Sequence, residues 1–171
     1  MRNQSIVRRS VIAVLVLMLF TAAGRAGAGQ LEDTSRSVDA IVGSWVEMTT
    51  VTGGPPPFAG LLTFGADGTL VTSYQGSVTT SGPFQASFTP GQGEWIREGG
   101  RTYSTTAVQV VSGLDGSLWF TNTLRQRITL SRAKDTYRSV VRAEFRDPAG
   151  NLVFAMEGTT EGRRIHVDPL P

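Results

Sequence analysis

Apolar residues fall into two regimes along this chain: an unbroken run from Val11 to Phe20, and, beyond residue 40, a recurrence with a period of two rather than of a helix. The stretch 118–130 shows the alternation best. Leu118, Phe120, Leu124, Ile128 and Leu130 share one face with Asn122 and Gln126, and the other face carries Trp119, Thr121, Thr123, Arg125, Arg127 and Thr129. Residues 136–146 repeat it, with Tyr137, Ser139, Val141, Ala143 and Phe145 opposed to Arg138, Arg142, Glu144 and Arg146, and Val140 as the misfit. Alternation of this kind describes strands with one buried and one wet face. Strands are predicted at 41–51, 59–64, 69–74, 93–97, 101–111, 118–130, 136–146, 152–159 and 163–167. Asp67-Gly68, residues 98–100, Asp115-Gly116 and residues 147–151 supply the turn chemistry of tight hairpins, so consecutive strands are neighbours. A meander this long either splits into a sandwich or closes on itself, and closure leaves no edge to aggregate. The expected fold is all-β: an antiparallel, up-and-down closed barrel of eight to nine strands.

The early apolar run has a different purpose. Arg2, Arg8 and Arg9 precede it, and Ala26, Gly27 and Ala28 follow with the small-x-small pattern of a cleavage site, so residues 1–28 read as a signal peptide. Residues 29–40 are polar and non-periodic, a flexible tether before a domain at 41–171. The run is shorter than the roughly 20 residues a lasting transmembrane helix takes, so no stable membrane span is expected after processing. Arg8-Arg9 only loosely resembles a twin-arginine signal, which favours the general secretory route to a periplasmic or secreted location.

Removing the leader changes the charge. The whole chain has 16 Lys and Arg against 14 Asp and Glu, but four of the basic residues (Arg2, Arg8, Arg9, Arg25) and none of the acidic ones precede residue 29. What remains is slightly acidic and holds a single Lys, Lys134, which argues against a nucleic-acid partner. With no Cys, neither disulfides nor a lipidated cysteine is available, and the core must hold by itself.

An eight-stranded barrel is just wide enough to be filled by side chains or to hold one small ligand, so the inward face decides the function. The alternation points Phe120, Leu124, Val141 and Phe154 inward together with Tyr103, Gln109, Asn122, Gln126, Tyr137 and Ser139. That is an apolar wall with a few directional polar groups, the composition of a small-molecule pocket. Tyr103 and Gln109 lie on a strand that alternates poorly. Buried amides cost about 1–3 kcal/mol each if unpaired, so Asn122 and Gln126 need partners or a ligand. Glu47 shares the parity of Trp45, but a bulge after the preceding Gly-x-Trp turn is expected to turn it to solvent. No catalytic residue is assigned; Glu47 and Tyr137 are the candidates. Asp67, Asp115 and Asp147 belong to turns that use Asp for its own backbone bonds. His166 is the only histidine, so no metal site and no cofactor is expected. Serine-hydrolase and nucleotide-binding motifs are missing. The 53–58 loop, with Pro55, Pro56 and Pro57, is either a lid bearing Phe58 or a stiff connection, and 74–92 reads as a mouth loop carrying Phe84 and Phe88.

Gly43-Ser44-Trp45 on the first strand resembles the Gly-x-Trp signature of lipocalins and their calycin relatives. More closely, the chain is similar to exported bacterial lipocalin-like proteins through that motif, the 53–58 loop, 64–69 (Phe, Gly, Ala, Asp, Gly, Thr), 90–95 (Pro, Gly, Gln, Gly, Glu, Trp), 147–154 and 162–165. Gln92 stands where members of that group often have His. The resemblance implies that Trp45 plugs one end of the barrel and that Arg164 packs over its ring. It also implies that a small hydrophobic molecule binds inside, with Asn122, Gln126 and Tyr137 orienting it. Two alternatives stay open: a cofactor-independent cyclase or isomerase acting on a hydrophobic, polyketide- or lipid-derived substrate, and a packed structural module presenting Trp119 outward.

Overall fold

The computed structural model describes residues 38–75, 78–79 and 86–170, all of it strand, turn and extended chain. The signal peptide expected at 1–28, most of the tether and Phe84 lie outside the described residues. The strands are β1 (Gly43–Val51), β2 (Phe58–Phe64), β3 (Thr69–Tyr74), β4 (Val78–Thr79), β5 (Ala86–Phe88), β6 (Gly91–Gly99), β7 (Thr102–Gly113), β8 (Leu118–Leu130), β9 (Thr136–Arg146) and β10 (Leu152–Arg164). All pairings are antiparallel. β10 returns to β1 with Trp45 opposite Arg164, and β7 pairs with β8 along nearly its whole length, so the sheet closes. β5 and β6 occupy the same edge of β7 in succession, one stave interrupted at Thr89-Pro90 because proline has no amide to donate. Eight staves therefore form the barrel, and β4 is an extra strand on β5.

Three expectations need correction. The predicted strands at 152–159 and 163–167 are one strand, β10, in which Gly158 and Gly162 are in-sheet positions rather than a turn, and residues 165–170 are not strand. Part of the expected mouth loop at 74–92 is β4, β5 and the start of β6. The stretch that alternates poorly in sequence, β7, alternates cleanly in burial; its outer face carries Val108 and Val110, which hid the period.

The turns form as their chemistry requires. Asp67 accepts from the Thr69 amide (3.1 Å) and hydroxyl (2.7 Å), Asp115 from the Ser117 amide (3.0 Å) and hydroxyl (2.6 Å), and Asp147 from the Asn151 amide (2.8 Å) and side-chain amide (3.0 Å). These bonds hold all three carboxyls below their ordinary value.

Inside, apolar packing forms two clusters. The lower one joins Ile41, Trp45, Leu62, Phe64, Leu70, Trp95, Tyr103, Ala107, Ile128, Leu130 and Tyr137. The upper one joins Ala86, Val111, Ala143 and Phe145, with Phe88, Phe120, Leu124 and Met156 against it. The lower end is sealed. The Arg164 guanidinium lies 4.2 Å from the Trp45 ring centre and donates to the carbonyls of Ala40, Val42 (2.7 Å) and Lys134 (3.1 Å), while Trp45 Nε1 donates to Ile41 O (2.9 Å). Asp39, at the end of the stretch read as tether, accepts from the Tyr103 hydroxyl at 2.6 Å.

Candidate functional site

Between the two apolar clusters lies a belt of buried polar side chains: Glu47, Thr49, Thr72, Thr105, Gln109, Asn122, Gln126, Ser139 and Thr160. Its centre is Glu47, only 1% exposed. The bulge expected to expel this residue does not occur: β1 keeps register with both neighbours through position 47, so Glu47 stays on the inward parity of Trp45.

The register explains what surrounds it. Across five strands, Tyr74, Gly60, Glu47, Gly162 and Tyr137 are successive cross-strand partners. A glycine flanks the glutamate on each side, and over each glycine lies a tyrosine ring from the next strand out. A Cβ at Gly60 would stand 2.6 Å from Tyr74, and one at Gly162 would stand 2.2 Å from Tyr137. The missing side chains are the space through which both rings reach the carboxyl. Tyr137 donates to Glu47 Oε2 at 2.6 Å, Gln126 Nε2 donates to Oε1 and Oε2 at 3.2 and 3.3 Å, and Tyr74 and Thr160 complete the hydrogen bonding. Thr160 in turn shares a 2.6 Å bond with Ser139.

None of the ion pairs among the described residues includes Glu47. Burial pushes its carboxyl above the ordinary value of 4.5, against the opposing pull of its four hydroxyl and amide partners. Burial, and then the adjacent carboxyl, likewise push the phenols of Tyr74 and Tyr137 up. The carboxyl and its two phenols are screened from solvent, and burial favours the protonated form of each.

Above the belt the described residues leave space inside the barrel. A cavity of about 420 Å³ occupies this half. Among the described residues, Phe58, Phe88, Leu124, Val141, Ala143, Phe145 and Met156 supply apolar wall, Pro55 and Pro56 the rim, and Thr49, Tyr74, Gln109 and Asn122 polar groups. Phe145 stacks on Phe154 with ring centres 4.3 Å apart, and Phe88 and Phe120 meet it edge-on. A larger depression, about 690 Å³, is bordered by exposed side chains such as Met48, Arg138 and Glu161; none of the belt residues borders it, and the lower cluster reaches it through Leu130 and Tyr137.

The residues anticipated as lining separate by level. Gln109, Asn122, Leu124 and Val141 line the cavity. Gln126 and Ser139 sit in the belt with Glu47, whereas Tyr137 and Tyr103 belong to the lower cluster, from which the Tyr137 hydroxyl reaches Glu47. Phe120 is half-buried in the upper aromatic group, and Phe154 is 42% exposed. Gly43, Trp45 and Arg164 are at the sealed end; a Cβ on Gly43 would come within 2.8 Å of the guanidinium. Sequence reasoning missed Tyr74, Thr49 and the two glycines. Tyr74 shares parity with Leu70 and Thr72, which is a usable signal, but its meeting with Glu47 depends on inter-strand register.

Among the described residues no group of three or more His, Cys, Asp or Glu could hold a metal, and no helix is long and apolar enough to cross a membrane. No protein-family model matches the chain, and neither a curated protein nor a solved structure matches it.

Proposed function

We propose that this chain is an exported, lipocalin-like binding protein that takes one small, largely apolar molecule into the upper half of its barrel. The observation that carries the reading is the cavity itself: about 420 Å³, walled by aliphatic and aromatic side chains, with a few convergent polar groups and a sealed floor. That size and composition are typical of small-molecule sites. The lipocalin relationship is supported by Gly43-Ser44-Trp45 and the stacking of Arg164 on Trp45, and export by the charged, apolar and small-residue segments of the leader. A fully packed module is disfavoured by the same cavity.

Titration of the purified chain with an uncharged naphthylamine dye tests it. One saturable site is expected, together with its loss in Ala143→Trp, which puts a large ring into the wall while leaving the circular dichroism of the barrel unchanged. No saturable uptake, or uptake indifferent to Ala143→Trp, overturns the reading.

One observation favours a second reading, the cofactor-independent isomerase or cyclase. Tyr74 is at once cavity wall and hydrogen-bond partner of Glu47, so its phenol links the buried carboxyl to a bound molecule as a relay for proton transfer. Under that reading Glu47→Gln keeps dye binding and loses turnover.

A further inference from the structure

We propose that the molecule held in the barrel carries a hydrogen-bond donor, a hydroxyl or an N–H, which docks on the side-chain carbonyl of Asn122. This rests on the binding reading and names the chemistry of its ligand.

The argument starts at Thr89, where β5 gives way to Pro90. Thr89 is clamped on β7 at both ends: its amide donates to Val110 O and its hydroxyl accepts from the Val110 amide, each at 3.0 Å. Its own carbonyl can only accept, and Gln109 Nε2 donates to it at 3.1 Å. That bond fixes which way the Gln109 amide points, so Gln109 Oε1 is turned to Asn122. Asn122 must then present its own nitrogen, and Nδ2 donates to Oε1 at 3.0 Å. The direction of the whole relay is imposed by one backbone carbonyl, and the atom left over is Asn122 Oδ1. It is buried and has no partner among the described residues, on a residue only 4% exposed that lines the cavity. A buried acceptor without a partner is a standing cost to the folded protein, which a donor on the ligand would recover. Thr49 Oγ1, also unpartnered and in the same wall, can accept or donate and adds a second point of attachment.

The charge of the wall narrows the class further. Among the described lining residues there is no Arg, Lys or His, and the one charged side chain is Glu157. Glu157 is exposed and already paired with Arg142 at 2.6 Å, so an anionic head finds no free counter-charge among the described lining residues. The site is therefore suited to an apolar alcohol, phenol or amide and opposed to a carboxylic acid.

Displacement of the bound naphthylamine dye by decanol, decyl methyl ether and decanoate tests this. Decanol should compete about five- to tenfold better than its ether, the worth of one neutral hydrogen bond to a buried acceptor, and decanoate should compete worst. In Asn122→Leu, and in the smaller Asn122→Ala, the alcohol-over-ether preference, taken as the ratio of the two competition constants in each variant and so independent of that variant's own dye affinity, should fall below twofold. Equal competition by alcohol and ether in the wild type, a preference for decanoate, or a preference that survives both substitutions overturns the inference while leaving the binding reading intact. A wild-type protein that takes up neither dye nor decanol overturns the binding reading itself.

Discussion

Glu47 is a carboxyl held inside a barrel by two phenols, an amide and a hydroxyl, with no cation in the described ion pairs to compensate it. Four neutral donors match the acceptor capacity of a carboxylate, yet burial dominates and raises its pKa. The linkage sign follows. Because the folded-state pKa lies above the unfolded value near 4.5, the folded protein binds the proton more tightly. The contribution to stability is fully present below about 4.5, falls as pH rises through the folded value, and is then constant. Glu47→Gln removes this dependence while retaining an acceptor for Tyr137, and a turn of the Gln126 amide, which now presents Nε2 to residue 47, would bring Gln126 Oε1 to the new donor. Denaturation of both proteins across a pH series should show the variant gaining on the wild type as pH rises. Other carboxyls, such as Glu144, held down to about 2 by Arg142, Arg125 and Arg146, titrate in the opposite sense but cancel in the difference. Profiles that stay parallel would mean that Glu47 titrates as an ordinary exposed glutamate.

At the level of strands, the site is a consequence of register, and the two glycines are its clearest expression. Glycine inside a strand usually weakens it, yet Gly60 and Gly162 sit in adjacent strands on either side of Glu47 and are covered by aromatic rings. Gly162→Ala would set a methyl 2.2 Å from Cε1 and Cζ of Tyr137, in a layer already closed by Trp45, whose ring centre is 5.1 Å from that of the tyrosine. A loss of about 1–3 kcal/mol is expected in urea unfolding, as for other overpacked interiors. In a Tyr137→Ala background the same substitution should cost at least about 1 kcal/mol less, because the atoms it collides with are gone. Additive costs would show that the ring moves aside freely. This row also marks the boundary of what sequence could convey. Period-two patterning exposed the strands, their inward faces and the hairpin turns, since each depends on near neighbours. The partnering of position 47 with 60 and 162 depends on strand pairings, the second of them between residues more than a hundred positions apart, and it stayed hidden. So did the continuity of β10, because Gly158 and Gly162 carry the same local signal as a turn. Glu47 was misplaced for a related reason: a charge is ordinarily expected outside, and only the partners gathered by closure make its burial tolerable.

For the molecule as a whole, the barrel is packed at one end and hollow at the other, and the two halves should answer oppositely to changes in side-chain volume. Below the belt, Leu62 is 1% exposed among Trp45, Phe64 and Leu70, so Leu62→Ala removes packing that cannot be replaced and should cost about 2–5 kcal/mol. Above it, Ala143 borders a void of about 420 Å³ between Phe145 and Met156. Ala143→Leu places apolar carbons into space that no atom of the described residues fills, and at about 25 cal/mol per Å² of newly buried apolar surface it should raise stability by roughly 1 kcal/mol. If the void is a binding site, that gain is obtained at the expense of uptake: the same variant should melt higher and bind dye at least about tenfold more weakly. A cavity that merely reflected loose packing would give the stability without a loss of binding, and a wall already in tight contact would give a lower melting temperature. Calorimetry and dye titration on the one variant separate these outcomes, because the first reads the space and the second reads its use.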